Sequence, residues 1–562
     1  MKRKSMLLVL TLLLAVSAFV SACGGGGSSK DANTTQKENN SGNQAEEKKS
    51  DKPQVFRFNI HSEPPTLDPG LAQDTVSYQV LTSLFEGLAR VDEKGREIPG
   101  IAEKWEIAPD GKQYTFTLRK DAKWSNGDPV TAHDFEYAWK RVLDPNTVPA
   151  PPYAIQLYYL KNAKAYHEKK KQVADVGVKA TDDYTLKVEL EHPTPYFLTL
   201  LSFQTYFPVH KSVKDNPKWA AEADTIISNG AFKLSTWKHQ DSLELTPNEH
   251  YYARKEIKFD KVQLKIVTDS ATELSMYETD EIDHAGKPTG ELPTDQIPIL
   301  KESKKDEINQ NIIAGTYYYL FNNKQAPFDN VNIRKALAMS IDRKLITEKV
   351  AQGGQIPAYG MVAKRINGLQ AEYRDEVKDD YFKENLDEAK TLLAKGLQEK
   401  GLTALPEFTL IHNSNDLHRK VAQAIADMWA KNLNIKVKIE NQEWGVFLKT
   451  RDSLNYQVAR AGWNTDYNDP MSFLDLYTTE SGNNDIGYTN KKFDELVNKA
   501  KTMADPAERM KVIAEAEKQL IQEDMAIMPI FYYSDVSLTK PHVKNVFLDY
   551  QGFLHFTRGY IE

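Results

Sequence analysis

The sequence predicts a mixed α/β body of interleaved lobes, on three observations. Its 562 residues exceed what one hydrophobic core usually organises, so two or three domains or lobes are expected. From Val55 onwards, period-two apolar runs alternate with helical ones. No clean linker divides that body, which favours interleaved lobes over domains strung in series. A charged fraction of 27% and a mean hydropathy of −0.57 exclude a polytopic membrane protein, and 10% aromatics exclude a mainly disordered chain. A formal net charge of −7 argues against a nucleic-acid partner. The single cysteine excludes an intramolecular disulfide, a CxxC redox pair and a multi-cysteine zinc site.

The first element is an address. Lys2, Arg3 and Lys4 form a positive n-region, and the largely apolar run 6–20 is too short to span a bilayer, as in a secretory signal peptide. Val20-Ser21-Ala22-Cys23 resembles the lipobox of bacterial lipoproteins, which implies cleavage before Cys23 and a diacylglycerol on its thiol. Loss of residues 1–22 removes three positive charges and leaves about −10. The stretch 24–51 has no aromatic, Leu, Ile or Val, so it cannot offset its ordering entropy. It reads as a flexible stalk whose root-mean-square span is roughly 30 Å.

The body follows. Phe56-Arg57-Phe58-Asn59-Ile60 alternates as a half-buried strand, and Pro64, Pro65 and Asp68-Pro69-Gly70 make a loop. Residues 114–118 form a second strand. Thr131 to Asp134 caps a helix through Phe135, Trp139 and Val142, which Asp144-Pro145 stops. Further strands are expected at 184–190, 243–245 and 261–266, then long amphipathic helices alternating with strands over 317–533. Asp329-Asn330 caps a helix through Ala338, Asp342 caps one ending at Gly353-Gly354, and Asp505-Pro506-Ala507-Glu508 opens another. No tandem repeat is visible.

An enzyme of this size would advertise its chemistry, yet HExxH, G-x-S-x-G, GxxxxGK[ST] and the Rossmann glycine triplet are all missing. The 12 histidines show no paired helical spacing for zinc. Carboxylates are too numerous for a glycosidase pair to be judged by counting, so a secreted hydrolase stands as the rival class.

One stretch is dense in unusual residues: Arg460-Ala461-Gly462-Trp463-Asn464-Thr465-Asp466. The alternating run 456–459 predicts a strand delivering it into a loop, where Gly462 allows close approach, Trp463 a flat wall and Asp466 a negative charge. Upstream, Asn413 to Asp416 starts a helix with His418 in its first turn and Val421, Ile425, Met428 and Leu433 on an apolar face. A strand (435–439) and a short helix follow, with Trp444, Leu448 and Arg451 on one side. Singly, Trp444 and Trp463 read as core and His418 and Arg451 as surface. Together, on elements returning to one strand end, they read as pocket lining.

Over 55–562 the chain resembles the peptide-binding lipoproteins of ABC importers, of oligopeptide- and dipeptide-binding type (extracellular solute-binding protein family 5). The resemblance is carried by Ala102-x-x-Trp105, Asp110-Gly111-x-x-Tyr114-Thr115-Phe116-x-Leu118-Arg119, Trp124-x-x-Gly127-x-Pro129-Val130-Thr131-Ala132-x-Asp134, Asn229-Gly230-Ala231-Phe232, Gly315-Thr316-Tyr317-Tyr318-Tyr319, Ala358-Tyr359-Gly360 and Arg460-Ala461-Gly462-Trp463-x-x-Asp466-Tyr467-Asn468.

The resemblance implies a periplasmic-binding-protein-like fold of the class II (cluster C) type. Lobe one comprises 55–86, 225–316 and 534–562, an inserted domain 87–224, and lobe two 317–533. It implies no enzyme activity, no metal and no cofactor. It implies a monomer, held by its lipid on the outer face of the bacterial cell membrane, that hands peptides to permease subunits. Asp466 is expected to receive the ligand's α-amino group. Backbone at Gly462–Asn464, with the early loop near Gln73–Thr75, flanks the peptide as added strands. Trp444 and Trp463 become pocket walls. Arg451, His418, Arg460 and Asn413 become polar liners or carboxylate partners, and Tyr277, Tyr318 and Tyr533 pocket tyrosines. Gln73 stands where some relatives have an acid and Ala351 where some have a lysine, leaving Arg451 and His418 as candidates for the ligand carboxylate. Ligand length stays open, as do the neighbouring readings of a receptor for murein peptides, metal chelates, sugars or pheromone peptides.

Overall fold

The computed structural model describes residues 53–562, apart from 93–95, 195 and 504. The expected leader, Cys23 and the stalk up to residue 52 lie outside the described residues.

Eleven strands form the central sheet: β1 (Val55–Asn59), β2 (Phe232–Lys238), β3 (Ser242–Pro247), β4 (Lys261–Lys265), β5 (His284–Gly286), β6 (Ile308–Phe321), β7 (Ile356–Pro357), β8 (Phe408–Asn413), β9 (Val437–Gln442), β10 (Val458–Asn464) and β11 (Ile527–Thr539). Their spatial order is β9-β8-β10-β6-β11-β5-β1-β4-β3-β2, with β7 added on β11. The fold is α/β and two-lobed, as expected. What joins the lobes is two long antiparallel strands, β6 and β11. Early in β6, Ile308 to Ile312 pair with Leu538 to Ser534, beside β5 and the β1 end of the sheet. Later, Thr316 to Leu320 pair with Tyr532 to Ile527, beside β10. The ladder shifts register between Ile312 and Thr316, a bulge that releases Ala314 to other partners. The Ala314 N–H donates to the Tyr550 carbonyl (2.9 Å), and its carbonyl accepts from the Thr465 N–H (2.8 Å).

Each half is filled for local reasons. The helix Asp416–Leu433 starts where the Asn415 side chain accepts from the His418 N–H, and Asn434 closes it in the left-handed region at φ 54°. Leu417, Val421, Ile425 and Trp429 follow one another at four-residue spacing and are buried against Tyr317, Tyr319 and Phe531 from the two long strands. Met428 and Leu433, expected on that face, are only partly buried. The inserted segment builds its own four-stranded sheet from Ala102–Ile107, Gln113–Leu118, Thr185–Glu189 and Val178–Asp182. The helix Ala132–Leu143 packs on it, and its first-turn Asp134 accepts from the Trp124 indole at 3.3 Å. That bond accounts for the Trp124-to-Asp134 spacing.

Two expectations shift. The helix capped by Asp342 is three α-helical residues, Arg343–Leu345, continuing as a π-helix, Ile346–Ala351, and ends at Gln352 (φ 55°) before the glycines. The strand foreseen at 456–459 runs from Val458 to Asn464, so Arg460, Gly462, Trp463 and Asn464 lie within the sheet and only Asp466 is in the loop beyond. The reason is the seven-residue ladder with β6, which extends pairing to Gly315 and Asn464.

A buried acid fixes the segment that backs β6. Glu517 accepts from the Met361 and Val362 N–H groups (2.8 Å each) and from the hydroxyls of Tyr373 (3.1 Å) and Tyr381 (2.9 Å), and it pairs with fully buried Arg374. Met361 in turn accepts from the Thr316 hydroxyl at 2.8 Å. Removing one partner of a buried ion pair leaves the other uncompensated. Glu517→Gln is expected to lower unfolding free energy by about 3–5 kcal/mol, read by denaturant titration; a loss under about 1 kcal/mol would show the pair to be dispensable.

Candidate functional site

Between the two halves lies a cavity of about 170 Å³, bordered by residues of both. Eleven of the twelve expected ligand residues border it: Asn413, His418, Trp444, Arg451, Arg460, Gly462, Trp463, Asn464, Asp466, Tyr318 and Tyr533.

The twelfth is a correction. Tyr277 is buried in the helix Ser270–Glu278, donates its hydroxyl to Glu307 (2.6 Å) and packs with Leu274, Ile282 and Leu538 away from the cavity.

Asp466 follows β10 and is fixed through its backbone. Its N–H donates to the Ser472 hydroxyl (2.8 Å), and its carbonyl accepts from the Gln551 amide (3.0 Å). Its carboxylate is left open: Oδ2 is buried and has no hydrogen-bond partner among the described residues. Burial, with some help from Asp475, holds this acid well above the usual carboxylate range. The same stretch of cavity is walled by Tyr78, Tyr153, Phe203, Phe553 and Trp463. Tyr153 stands edge-on to Phe203 at 4.8 Å and 6.3 Å from Trp463, and Tyr78 is 4.4 Å from Phe553. A lone carboxylate among aromatic faces is an arrangement chemically suited to an organic cation.

Arg460 lies on the same strand as Gly462 and Asn464, facing one way. Its guanidinium donates to the Tyr533 hydroxyl (2.6 Å) and to Asn413 (3.4 Å), and lies 4.7 Å over the Tyr317 ring. Gly462 permits this: a Cβ there would come within 2.1 Å of the Tyr533 hydroxyl. Among the described residues Arg460 forms no ion pair, and its Nε is buried without a partner. The two other expected carboxylate partners differ. Arg451 is committed to Asp485, which accepts from Nε at 2.7 Å and from Nη2. His418 is buried, and desolvation with Arg460 nearby pushes its pKa well below the usual value, so the ring is neutral. Arg460 is therefore the uncommitted positive charge of the three.

The helix Trp444–Asp452 presents Trp444, Leu448 and Arg451 to the cavity on one side. The Trp444 indole donates to Asp74 at 3.3 Å, and Gln73 donates to Asp452 at 2.9 Å, so the early loop touches the far lobe directly. Ala351 is buried and does not border the cavity. The backbone offers a further feature. β8 pairs with β10 only at Val458 and Ala459, so from Arg460 to Asn464 that edge of β10 has no strand beside it among the described residues.

Several lining residues were not foreseen: Lys287, Asp485, Asp535 and Gln551. Asp535 had a signal, the one charged residue of a 13-residue strand. The others had none in local pattern. No group of three or more His, Cys, Asp or Glu among the described residues is placed to hold a metal, and no helix there is long and apolar enough to cross a membrane.

Comparison with known proteins places these features in context. The family model for bacterial extracellular solute-binding proteins, family 5 (middle), matches residues 97–485. The chain is 43% identical to the oligopeptide-binding protein OppA of Bacillus subtilis, over 92% of this chain and 94% of that one. It superposes on Haemophilus influenzae OppA in complex with RPPGFSPFR with a TM-score of 0.83, at 36% identity and over 91% and 99% of the two chains. The Escherichia coli murein tripeptide binding protein MppA gives 0.83 at 32% identity, over 91% and 99%. Its unliganded open form gives only 0.60, over 91% and 98%. The present arrangement is thus more similar to the peptide complex of the Haemophilus protein than to that open form.

The loop carrying Lys287 is held by another buried acid. Glu273 accepts from the N–H groups of Gly286 (2.7 Å) and Glu291 (3.2 Å), and burial pushes it up to about 7 from 4.5. A raised folded-state pKa gives stability that is complete below about pH 4.5 and lost as pH rises through about 7. The loss is on the order of 3 kcal/mol. Relative to Glu273→Gln, the wild-type protein should lose melting temperature steadily between pH 4.5 and 7 in calorimetry; parallel pH profiles would contradict this role.

Proposed function

Because the chain belongs to family 5 of the bacterial extracellular solute-binding proteins, we propose that it is a lipid-anchored extracytoplasmic receptor that encloses a peptide between its lobes and passes it to an ABC permease. The observation that carries this reading is the unpartnered buried carboxylate of Asp466 among aromatic walls, at one end of the free edge of β10. A peptide's ammonium supplies the missing counter-charge. Its main chain pairs along 460–464 as an added strand, each bond contributing about 0.5–1.5 kcal/mol without reading side chains. Arg460 takes a carboxylate of the ligand. Lobe one is assigned to 55–86, 225–316 and 534–562, the inserted domain to 87–224 and lobe two to 317–533. The proposed boundaries between the lobes cross β6 and β11 near their bulge. The protein acts as a monomer and catalyses nothing. Cys23 carries the lipid.

Asp466→Asn should weaken binding of a free-amine tripeptide by roughly 150- to 5,000-fold, from about 3–5 kcal/mol, while an N-acetylated peptide changes little. Equal losses in calorimetric titration would remove Asp466 from the amine-binding role. Cys23→Ala should move the protein from the membrane fraction to the medium or periplasm; unchanged partition on cell fractionation would refute the anchor.

A further inference from the structure

The cavity contains a second acid that the peptide reading leaves without a task. Asp535 is two residues beyond Tyr533 on β11, hence on the same face, and borders the cavity with it. The residue is 1% exposed, and its Oδ2 has no hydrogen-bond partner among the described residues. Glycine keeps space in front of it: at Gly552 (φ 87°) a Cβ would stand 2.7 Å from Oδ2 and 2.7 Å from the Ile313 side chain, which also borders the cavity.

The charges around Asp535 do not balance. Lys287 faces it from the loop after β5, but the Lys287 ammonium lies 3.1 Å from Glu291 and 5.9 Å from the centre of the Tyr533 ring. Glu291 also accepts from Asn415 at 3.2 Å. On the C-terminal segment, Asp549 accepts from the Gln551 and Phe553 N–H groups and from His555 (2.7 Å). Glu273 lies behind the loop, on the N–H groups of Gly286 and Glu291. With Lys287 matched to Glu291, Asp535 has a cavity-facing oxygen and no cation of its own. Burial, with Asp549 and Glu291 nearby, pushes it up to about 8 despite Lys287, so in the empty cavity it keeps its proton at neutral pH.

We propose that Asp535 is the acceptor for a basic side chain of the bound peptide, a second cation subsite in addition to that of Asp466. The ligand's aliphatic stem packs on Ile313 and its ammonium or guanidinium displaces the proton from Asp535. The receptor then prefers peptides with a lysine or arginine at one fixed position. This rests on the reading that the cavity takes peptides, and it goes further by naming their class.

The test is a set of free-amine tetra-alanine peptides with lysine placed at each position in turn, each paired with its norleucine counterpart. They are titrated calorimetrically at pH 7 into the wild-type protein and Asp535→Asn, in two buffers of different ionisation enthalpy. At one position lysine should bind at least tenfold tighter than norleucine and release more protons than norleucine does. In Asp535→Asn that ratio should fall to within twofold and the excess release disappear, while norleucine affinity is kept. A wild-type protein with no lysine preference at any position overturns the proposal, as does an equal effect of the substitution on both peptides. In either case the Asp466 reading stands if N-acetylation still abolishes binding. Failure to bind any of these peptides overturns both. The wild-type comparison needs no variant, so it decides even if Asp535→Asn does not fold.

Discussion

A carboxylate enclosed in a cavity must hold either a proton or a cation, and the arrangement around Asp466 supplies neither from the protein itself. Isolated ions in a low-dielectric interior cost several kcal/mol even after relaxation, so burial favours the protonated acid and an entering cation favours the ion. The nearby charge of Asp475 adds to that cost instead of relieving it. The backbone of Asp466 is pinned by Ser472 and Gln551, which prevents the acid from turning out to water to escape. Selectivity for a cation is thus built in by denying the acid an internal partner. Arg460 mirrors it: Tyr533, Asn413 and the Tyr317 ring stabilise the guanidinium without neutralising it.

The two halves meet where the sheet is least regular. Strands β6 and β11 carry the ladder from one lobe to the other, and the bulge between Ile312 and Thr316 lies beside the site. Gly315, at its end, faces Asn464 and Tyr533 so closely that a Cβ would be 2.5 Å from the first and 2.8 Å from the second. Asn464 in turn donates to the Gln551 carbonyl (2.9 Å), joining β10 to the C-terminal segment that also holds Asp466. Glycines at 315 and 462 are therefore packing requirements of the site.

How much of this was legible depends on sequence distance. Local patterns gave the helix caps at Asn330, Asp342 and Asp505, the face of Trp444, Leu448 and Arg451, and the segment from Arg460 to Asp466, because a polar or glycine residue in an apolar run stands out. Pairings across hundreds of residues did not show. The match of Arg451 to Asp485 is made between a helix and a later loop, so the sequence suggested a free arginine where the structure has a neutralised one. Tyr277 misled for the opposite reason: a tyrosine on a helix reads alike whether it meets a cavity or, as here, Glu307. The sheet's continuity through β6 and β11 depends on partners about 220 residues apart, which no periodicity reports.

Closure draws on polar contacts that span the cleft. His61 meets the Ser414 carbonyl (3.0 Å), Ser270 donates to Asp416 (2.7 Å), Lys420 to Thr294 (2.9 Å), and Lys164 pairs with Glu480 (2.6 Å). The Lys164–Glu480 pair is exposed and the others are partly buried; contacts of this kind contribute about 0.5–1.5 kcal/mol each and compete with hydration in an open form. Such contacts bring the lobes into register without holding them shut. Most of the closing free energy has to come from what fills the cavity, because only a ligand touching Asp466, the β10 edge and the aromatic walls of the facing lobe together binds the closed state better than the open one. A cavity whose acids lack internal partners makes that difference large for cationic guests and small for water. In the proposed receptor, the electrostatic deficit that selects the ligand is therefore also what couples its capture to the shape of the protein.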